Sequence, residues 1–138
     1  MRYKEGLKDL PVSMNPYIEG VMEPNFWLSC LLINEEAMGK ESRSDNEVTY
    51  VKEAGKTCPA EILEKLASIN AEGRFIWKPM HMQPIFRKYD YVTAEGKERS
   101  GNGVGEDIFR RGLCLPSDNK MTAEEQDVII QAIRSCFE

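Results

Sequence analysis

Residues 74–86 read RFIWKPMHMQPIF, and what this stretch packs against decides the fold. It holds three aromatics, two methionines, two prolines and the chain's only histidine. Pro79 and Pro84 interrupt any helical period, and so much apolar surface is costly to leave in water, so the segment has to lie against something. Trp77, Met80, Met82, Ile85 and Phe86 supply apolar area, while Arg74, Lys78, His81 and Gln83 supply polar groups that fix orientation, the usual make-up of a ligand-site wall. A proline-bearing aromatic loop also serves simply to cap the edge of its own sheet. The residues leave both readings open.

Around this segment the chain alternates strands and amphipathic helices. Residues 74–77 predict a short strand ended by Pro79, which cannot donate to a ladder. Upstream, Thr57 or Cys58 caps a helix with Pro59 set for its first turn. Ile62, Leu63, Leu66 and Ile69 share one face, and Gly73 ends it. Residues 25–33, NFWLSCLLI, are nearly continuously apolar and predict a central strand covered on both faces. Before them, Tyr3, Leu7 and Leu10 fall at helical spacing with nothing ahead to cap the helix, and Pro11 opens a coil through Pro16 and Gly20. On the C-terminal side, a short helix over residues 105–111 leads through Gly112, expected as a left-handed exit, into a buried strand at residues 113–115. Thr122 and Glu125 form a capping box opening a last helix, with Val128, Ile129, Ala132, Ile133 and Phe137 as its inward stripe. Two polar stretches interrupt the pattern. Residues 35–56 read as an exposed, solvated insertion with one short strand near residues 48–51. Residues 87–103, with Gly96, Gly101, Gly103 and Gly105 in or beside them, are expected to be mobile.

The 138 residues fit one domain, and the pattern predicts an α/β (α+β) layer: a sheet of about three strands packed with helices. A net charge of -5 without a Lys/Arg cluster argues against a nucleic-acid or anionic-membrane surface. No apolar stretch is long enough to span a bilayer, and the first ten residues lack the apolar run of a secretion signal. Cys30, Cys58, Cys114 and Cys136 are scattered, with no C-x-x-C pair and one histidine, so buried thiols in a reducing cytoplasmic setting are expected and no metal site.

Four motifs invite chemistry, and each has a plainer reading. His81 as base to a cysteine, oriented by Asp107 or Asp118, has no nucleophile signature beside it. Ser117-Asp118-Asn119-Lys120 satisfies S-x-x-K but sits in one turn between Pro116 and the cap at Thr122. The glycines at 101, 103 and 105 match neither dinucleotide nor P-loop spacing. The charged run from Lys40 to Asp45 reads as solvated surface. No catalytic, cofactor-binding or metal residue is assigned.

The order and spacing of Arg74, Trp77-Lys78-Pro79-Met80-His81, Gln83-Pro84 and Phe86, then Glu106-Asp107, Phe109 and Gly112-Leu113-Cys114-Leu115-Pro116-Ser117, then Met121-Thr122, Glu124-Glu125-Gln126, resemble the C-terminal part of DegT-type (DegT/DnrJ/StrS) sugar aminotransferases. Pro24-Asn25-Phe26-Trp27-Leu28 is similar to the strand that enters the family's small domain, and Tyr3 to Leu10 to the end of its inter-domain helix. The resemblance implies the small C-terminal domain of an aspartate-aminotransferase-like (fold type I) pyridoxal-phosphate enzyme, with residues 1–12 a remnant of the inter-domain helix and residues 13–138 the domain. Such enzymes move an amino group from glutamate to a keto sugar carried on a nucleotide, with the cofactor as electron sink. The family's cofactor lysine, pyridine-nitrogen aspartate and phosphate seat belong to the large domain, and Lys78 does not correspond to that lysine. The resemblance therefore implies a chain inactive alone and binding no cofactor alone. Its expected partners are a PLP-binding large domain, from the same gene or a separate chain, a nucleotide sugar, and a second copy of itself. Trp77, Lys78, His81 and Gln83 become candidate contacts with substrate or neighbouring domain. The alternative is a stand-alone, non-enzymatic binding or interaction module with the same fold.

Overall fold

The computed structural model describes residues 2–44, 47–93, 96–98 and 103–138, with backbone alone at Lys97 and Glu98. Helix α1 (Arg2–Gly6) turns Tyr3 into the core, and the following Leu7 is fully buried. The helix over Ala123–Arg134 runs close to Gly6: a Cβ at this position would lie 2.7 Å from Ile130 Cδ1. Strand β1 (Val12–Met14) follows at once, inside what the sequence suggests is coil, and pairs antiparallel with β2 (Ser29–Ile33). A short strand can hide in a proline- and asparagine-bearing stretch because the partner supplies the pairing, not the propensity.

After a 3-10 turn at Glu35–Ala37 come the hairpin β3 (Lys40–Arg43) and β4 (Val48–Val51), then α2 (Pro59–Ser68), with Pro59 in its first turn as expected. After α2 come β5 (Arg74–Phe75), a 3-10 turn at Met80–Met82, and the hairpin β6 (Tyr91–Thr93) and β7 (Gly96–Glu98). Helix α3 (Val104–Arg111) runs directly into β8 (Gly112–Leu115), and α4 (Ala123–Arg134) closes the chain before a 3-10 turn at Ser135–Phe137. The main sheet has the order β1-β2-β8-β5, antiparallel throughout, four strands where the sequence suggests about three.

Strand alternation sorts the sheet's two faces. Leu31, Ile33, Leu113 and Leu115 join Ile62 and Leu66 of α2, Ile129, Ile130, Ala132 and Ile133 of α4, and Tyr3 in one core cluster. Cys30 and Cys114 point the other way. The predicted capping box is present: the Glu125 N–H donates to Thr122 Oγ1 at 3.2 Å and the Thr122 N–H to Glu125 Oε2 at 2.7 Å.

Several expectations need correction. The central strand begins at Ser29, not Asn25, because Phe26 takes a left-handed φ of 50° and throws Trp27 outward. It is also not equally covered on both faces: Leu31 and Ile33 are buried, their neighbours half-buried. Helix α2 ends not at Gly73 but through Asn70, whose φ of 59° takes the left-handed position, a role asparagine fills nearly as well as glycine. Gly112 is no left-handed exit, since its φ is -103°. It is glycine because a Cβ would come within 2.4 Å of the Ile108 carbonyl oxygen and 2.8 Å of Ile76 Cγ1. On α4, Val128 faces solvent and Ile130 is buried in its place. Within the stretch expected to be mobile, the described residues include a hairpin, and residues 94, 95 and 99–102 lie outside the description.

Candidate functional site

Pro79 sets the chain for the 3-10 turn at Met80–Met82, and that turn swings His81 under the start of α3. His81 Nε2 lies 2.6 Å from Glu106 Oε1, and the two side chains keep only 16% and 15% of their surface. The imidazole also stacks on Tyr91, with ring centroids 3.7 Å apart and planes 14° apart. Gly103, the N-cap of α3, allows this approach, because a Cβ there would sit 3.1 Å from the Tyr91 hydroxyl. A turn, a helix start and a hairpin strand thus hold one imidazole from three sides. A ring fixed in this way can present its remaining nitrogen in a constant direction.

The other three candidates sit on two sides of that turn. The Gln83 amide donates to the Lys78 carbonyl at 3.5 Å, closing residues 78–83 into a loop, and Lys78 is half-buried. Trp77 points away and stacks on Trp27, centroids 6.1 Å apart and planes 20° apart. Next to Trp27, Phe26 meets Tyr17 edge-on at 5.7 Å. Trp27 is 72% exposed and Trp77 62%, and Met80 and Ile85 are exposed as well. The structure therefore gathers Lys78, His81 and Gln83 at one loop and assigns Trp77 to an uncovered aromatic face.

Beside the His81–Glu106 pair opens a cleft of about 720 Å³ between β3 and α3, walled by Glu41, Arg43, Met82, Glu106, Phe109 and Arg110 among others. Its organising residue is Arg43, in the stretch that sequence reading treats as solvated insertion. That reading fails here: Arg43 keeps 16% of its side-chain surface and its ion-pair partner Glu41 keeps 5%. The guanidinium donates to the Phe109 and Arg110 carbonyls, both at 2.9 Å, and lies over the Phe75 ring at 4.0 Å and the Phe109 ring at 5.2 Å. Burial lowers its pKa to about 10. The i, i+2 placement of Glu41 and Arg43 on one face of a strand is the sequence signal that marks the pair. Also on α3, Asp107 bonds Arg111 and Arg110, and its carboxyl is held below the usual range by those two in that order.

The geometry also disposes of the other motifs. Asp107 is engaged by arginines, and the Asp118 carboxylate accepts the Lys120 N–H at 2.8 Å, so neither orients His81. Ser117 Oγ donates to the Leu115 carbonyl at 2.8 Å and accepts the Ser29 N–H at 2.9 Å, so the S-x-x-K serine fastens a turn to β2. Burial pushes the Cys58 thiol up, Cys136 to about 11 and Cys114 to about 12, which is the reverse of an activated nucleophile. Of the glycine-rich loop, residues 101 and 102 lie outside the described residues and Gly103 caps α3.

A pyridoxal phosphate needs an anion seat, usually a helix N-terminus. Each of the three longer helices already presents carboxylates there. The Ala60 N–H of α2 donates to Glu41 Oε2 at 3.0 Å, α3 carries Glu106 and Asp107 in its first turn, and α4 is closed by its own capping box. A phosphate at any of them would meet like charge. The described residues do not fit the cofactor.

A family model described as the DegT/DnrJ/EryC1/StrS aminotransferase family matches residues 2–134. A Bacillus subtilis (strain 168) protein, EpsN, described as a pyridoxal phosphate-dependent aminotransferase, is 42% identical over 79 residues, 57% of this chain and 19% of that protein. Among solved structures, a Streptococcus pneumoniae protein, Spr1654, described as a sugar aminotransferase, superposes with a TM-score of 0.67 at 15% identity over 99% of this chain and 28% of that one. A DegT DnrJ EryC1 StrS aminotransferase from Brucella abortus does so with a TM-score of 0.61 at 22% identity, over 97% of this chain and 28% of that one. The likeness shows a shared fold, and the chain spans less than a third of these relatives.

Proposed function

Because the chain belongs to the DegT/DnrJ/EryC1/StrS aminotransferase family, we propose that it is the C-terminal small domain of a sugar aminotransferase and works only with a cofactor-bearing large domain. The whole enzyme would carry an amino group from glutamate to a nucleotide-linked keto sugar, using pyridoxal phosphate held by the large domain. This chain supplies the wall of the cleft. The observation that carries the reading is the uncovered aromatic face: Trp27 and Trp77 stack on each other while most of their surface stays in water. Exposed apolar patches of this kind mark surfaces that meet another polypeptide. A relative whose chain is more than three times as long provides a natural cover.

In this arrangement Trp77 meets the neighbouring domain, and Lys78, His81 and Gln83 line the loop nearest the substrate. Glu106 fixes the orientation of the His81 ring beside the cleft, and the second copy of the chain completes the site. Four free thiols fit a cytoplasmic protein. The test is to mix the chain with a family large domain loaded with cofactor. We expect tryptophan emission to shift on mixing, glutamate-dependent amination of a nucleotide-linked keto sugar to appear only in the mixture, and Trp77→Ala to weaken both. Binding of the nucleotide sugar by the chain alone, with no affinity for any large domain, would instead favour a stand-alone binding module.

A further inference from the structure

The sequence scatters its four cysteines, and the fold brings two of them together. Cys30 of β2 and Cys114 of β8 are directly opposed across the two central strands of the sheet. Cys30 spends its N–H on Asn15 Oδ1 at 3.1 Å, and its carbonyl accepts the Asn15 N–H at 2.9 Å. Both backbone groups therefore point toward β1, and across the other edge Cys30 and Cys114 form a non-hydrogen-bonded pair. That is the closer kind of antiparallel pair, with Cα atoms about 4.5 Å apart and side chains projecting to the same face. Such a separation lies inside the range that a disulfide bridges without moving backbone, about 4.4–6.8 Å. The sulfurs stand 3.8 Å apart. Cys114 is buried and Cys30 is half-exposed, so a reagent reaches Cys30 first.

We propose that Cys30 and Cys114 form a reversible dithiol–disulfide couple, closed across the sheet by a small disulfide oxidant of the glutathione class. The thiolate of Cys30 attacks one sulfur of the oxidant, giving a mixed disulfide and releasing one small thiol. Cys114 then loses its proton and attacks the Cys30 sulfur, the second small thiol leaves, and the protein S–S bond forms. Two protein thiols and one small disulfide become one protein disulfide and two small thiols, with two electrons passing to the oxidant and both protons leaving on the released thiols. Burial of Cys114 makes the second step the slower one. The bridge ties β2 to β8 on the face opposite the core formed with α2 and α4, three residues from Trp27. This inference is independent of the transaminase reading.

The test is to incubate the full chain with oxidised glutathione at about pH 8, because the thiolate is the attacking form in thiol–disulfide exchange. Intact mass and mapping of alkylated peptides then follow. We expect the loss of two hydrogens, a single crosslinked peptide pair containing Cys30 and Cys114, reversal by dithiothreitol, and a higher unfolding midpoint for the oxidised chain. Cys58→Ala and Cys136→Ala should still form the bridge, and Cys30→Ala should not. Four thiols still free after treatment, a glutathione adduct on Cys30 that never resolves, or a bridge involving Cys58 or Cys136 would each overturn the proposal. The mapping is done on the unsubstituted chain, so it does not depend on any variant folding.

Discussion

Replacing Arg43 with alanine asks whether one side chain fastens the β3–β4 hairpin to α3 and so shapes the cleft. The guanidinium closes two carbonyls at the end of α3, covers two aromatic rings and neutralises Glu41, while the other Glu41 oxygen accepts the Ala60 N–H at the start of α2. Truncation leaves a carboxylate that is 5% exposed without its cation. Breaking one side of a buried ion pair costs about 3–5 kcal/mol. Lost ring contacts add about 0.5–2 kcal/mol, and the two carbonyls recover part of their bonding from water. Since these terms overlap, Arg43→Ala should destabilise by about 4 kcal/mol. Arg43→Lys keeps the charge but cannot fork to two carbonyls and should lose about half as much. Adding Glu41→Gln to Arg43→Ala should restore part of the loss, because no uncompensated charge remains. Urea unfolding followed by circular dichroism measures all three, with the midpoint falling and the slope unchanged. A loss below about 1 kcal/mol for Arg43→Ala, the range of an exposed pair, would refute the reasoning.

Gly112→Ala should destabilise by about 3 kcal/mol, the upper end of overpacking, because the new Cβ meets the backbone oxygen of Ile108 at 2.4 Å and backbone cannot swing aside. Thermal melts check this, and a neutral effect would mean that α3 slides freely. The Asp9–Arg134 pair gives a pH signature. Bonding to Arg134, then to its own backbone, lowers the Asp9 carboxyl from 3.8 to about 2. A depressed carboxylate stabilises the fold above its unfolded pKa and loses that contribution as pH falls through the folded one, so Asp9→Asn should lower the urea midpoint at neutral pH and match the unsubstituted chain near about pH 2. A gap that stays constant with pH would show that the pair contributes nothing.

The elements with a strong local period are those the sequence shows plainly: α2 with Pro59 in its first turn, α4 with Thr122 and Glu125, and the buried run Leu113-Cys114-Leu115. The failures share a cause, which is that a distant neighbour overrides the local signal. Val12–Met14 becomes a strand only because β2 offers an edge. Gly112 looks like a helix exit but answers to the crowding of Ile108 and Ile76. Arg43 and Glu41 look like solvated charge, and only the arrival of Phe75, Phe109 and the Ala60 N–H turns them into a buried pair. At the site, the aromatic segment is conspicuous in sequence because exposed tryptophan and methionine are unusual anywhere. That His81 would find Glu106 and Tyr91 depends on three elements meeting, and no spacing along the chain encodes it. The Cys30–Cys114 pair is invisible for the same reason, being a matter of strand register.

In the proposed division of labour, this chain shapes the cleft and another domain seats the cofactor. Titrating the purified chain with pyridoxal phosphate, while recording visible absorbance after borohydride-free dialysis, addresses it most directly. The account predicts that no yellow, dialysis-resistant species forms. A stoichiometric yellow complex that disappears in Lys78→Ala would contradict it, because Lys78 would then be an amine anchor and the carboxylate-filled helix starts would not exclude the phosphate.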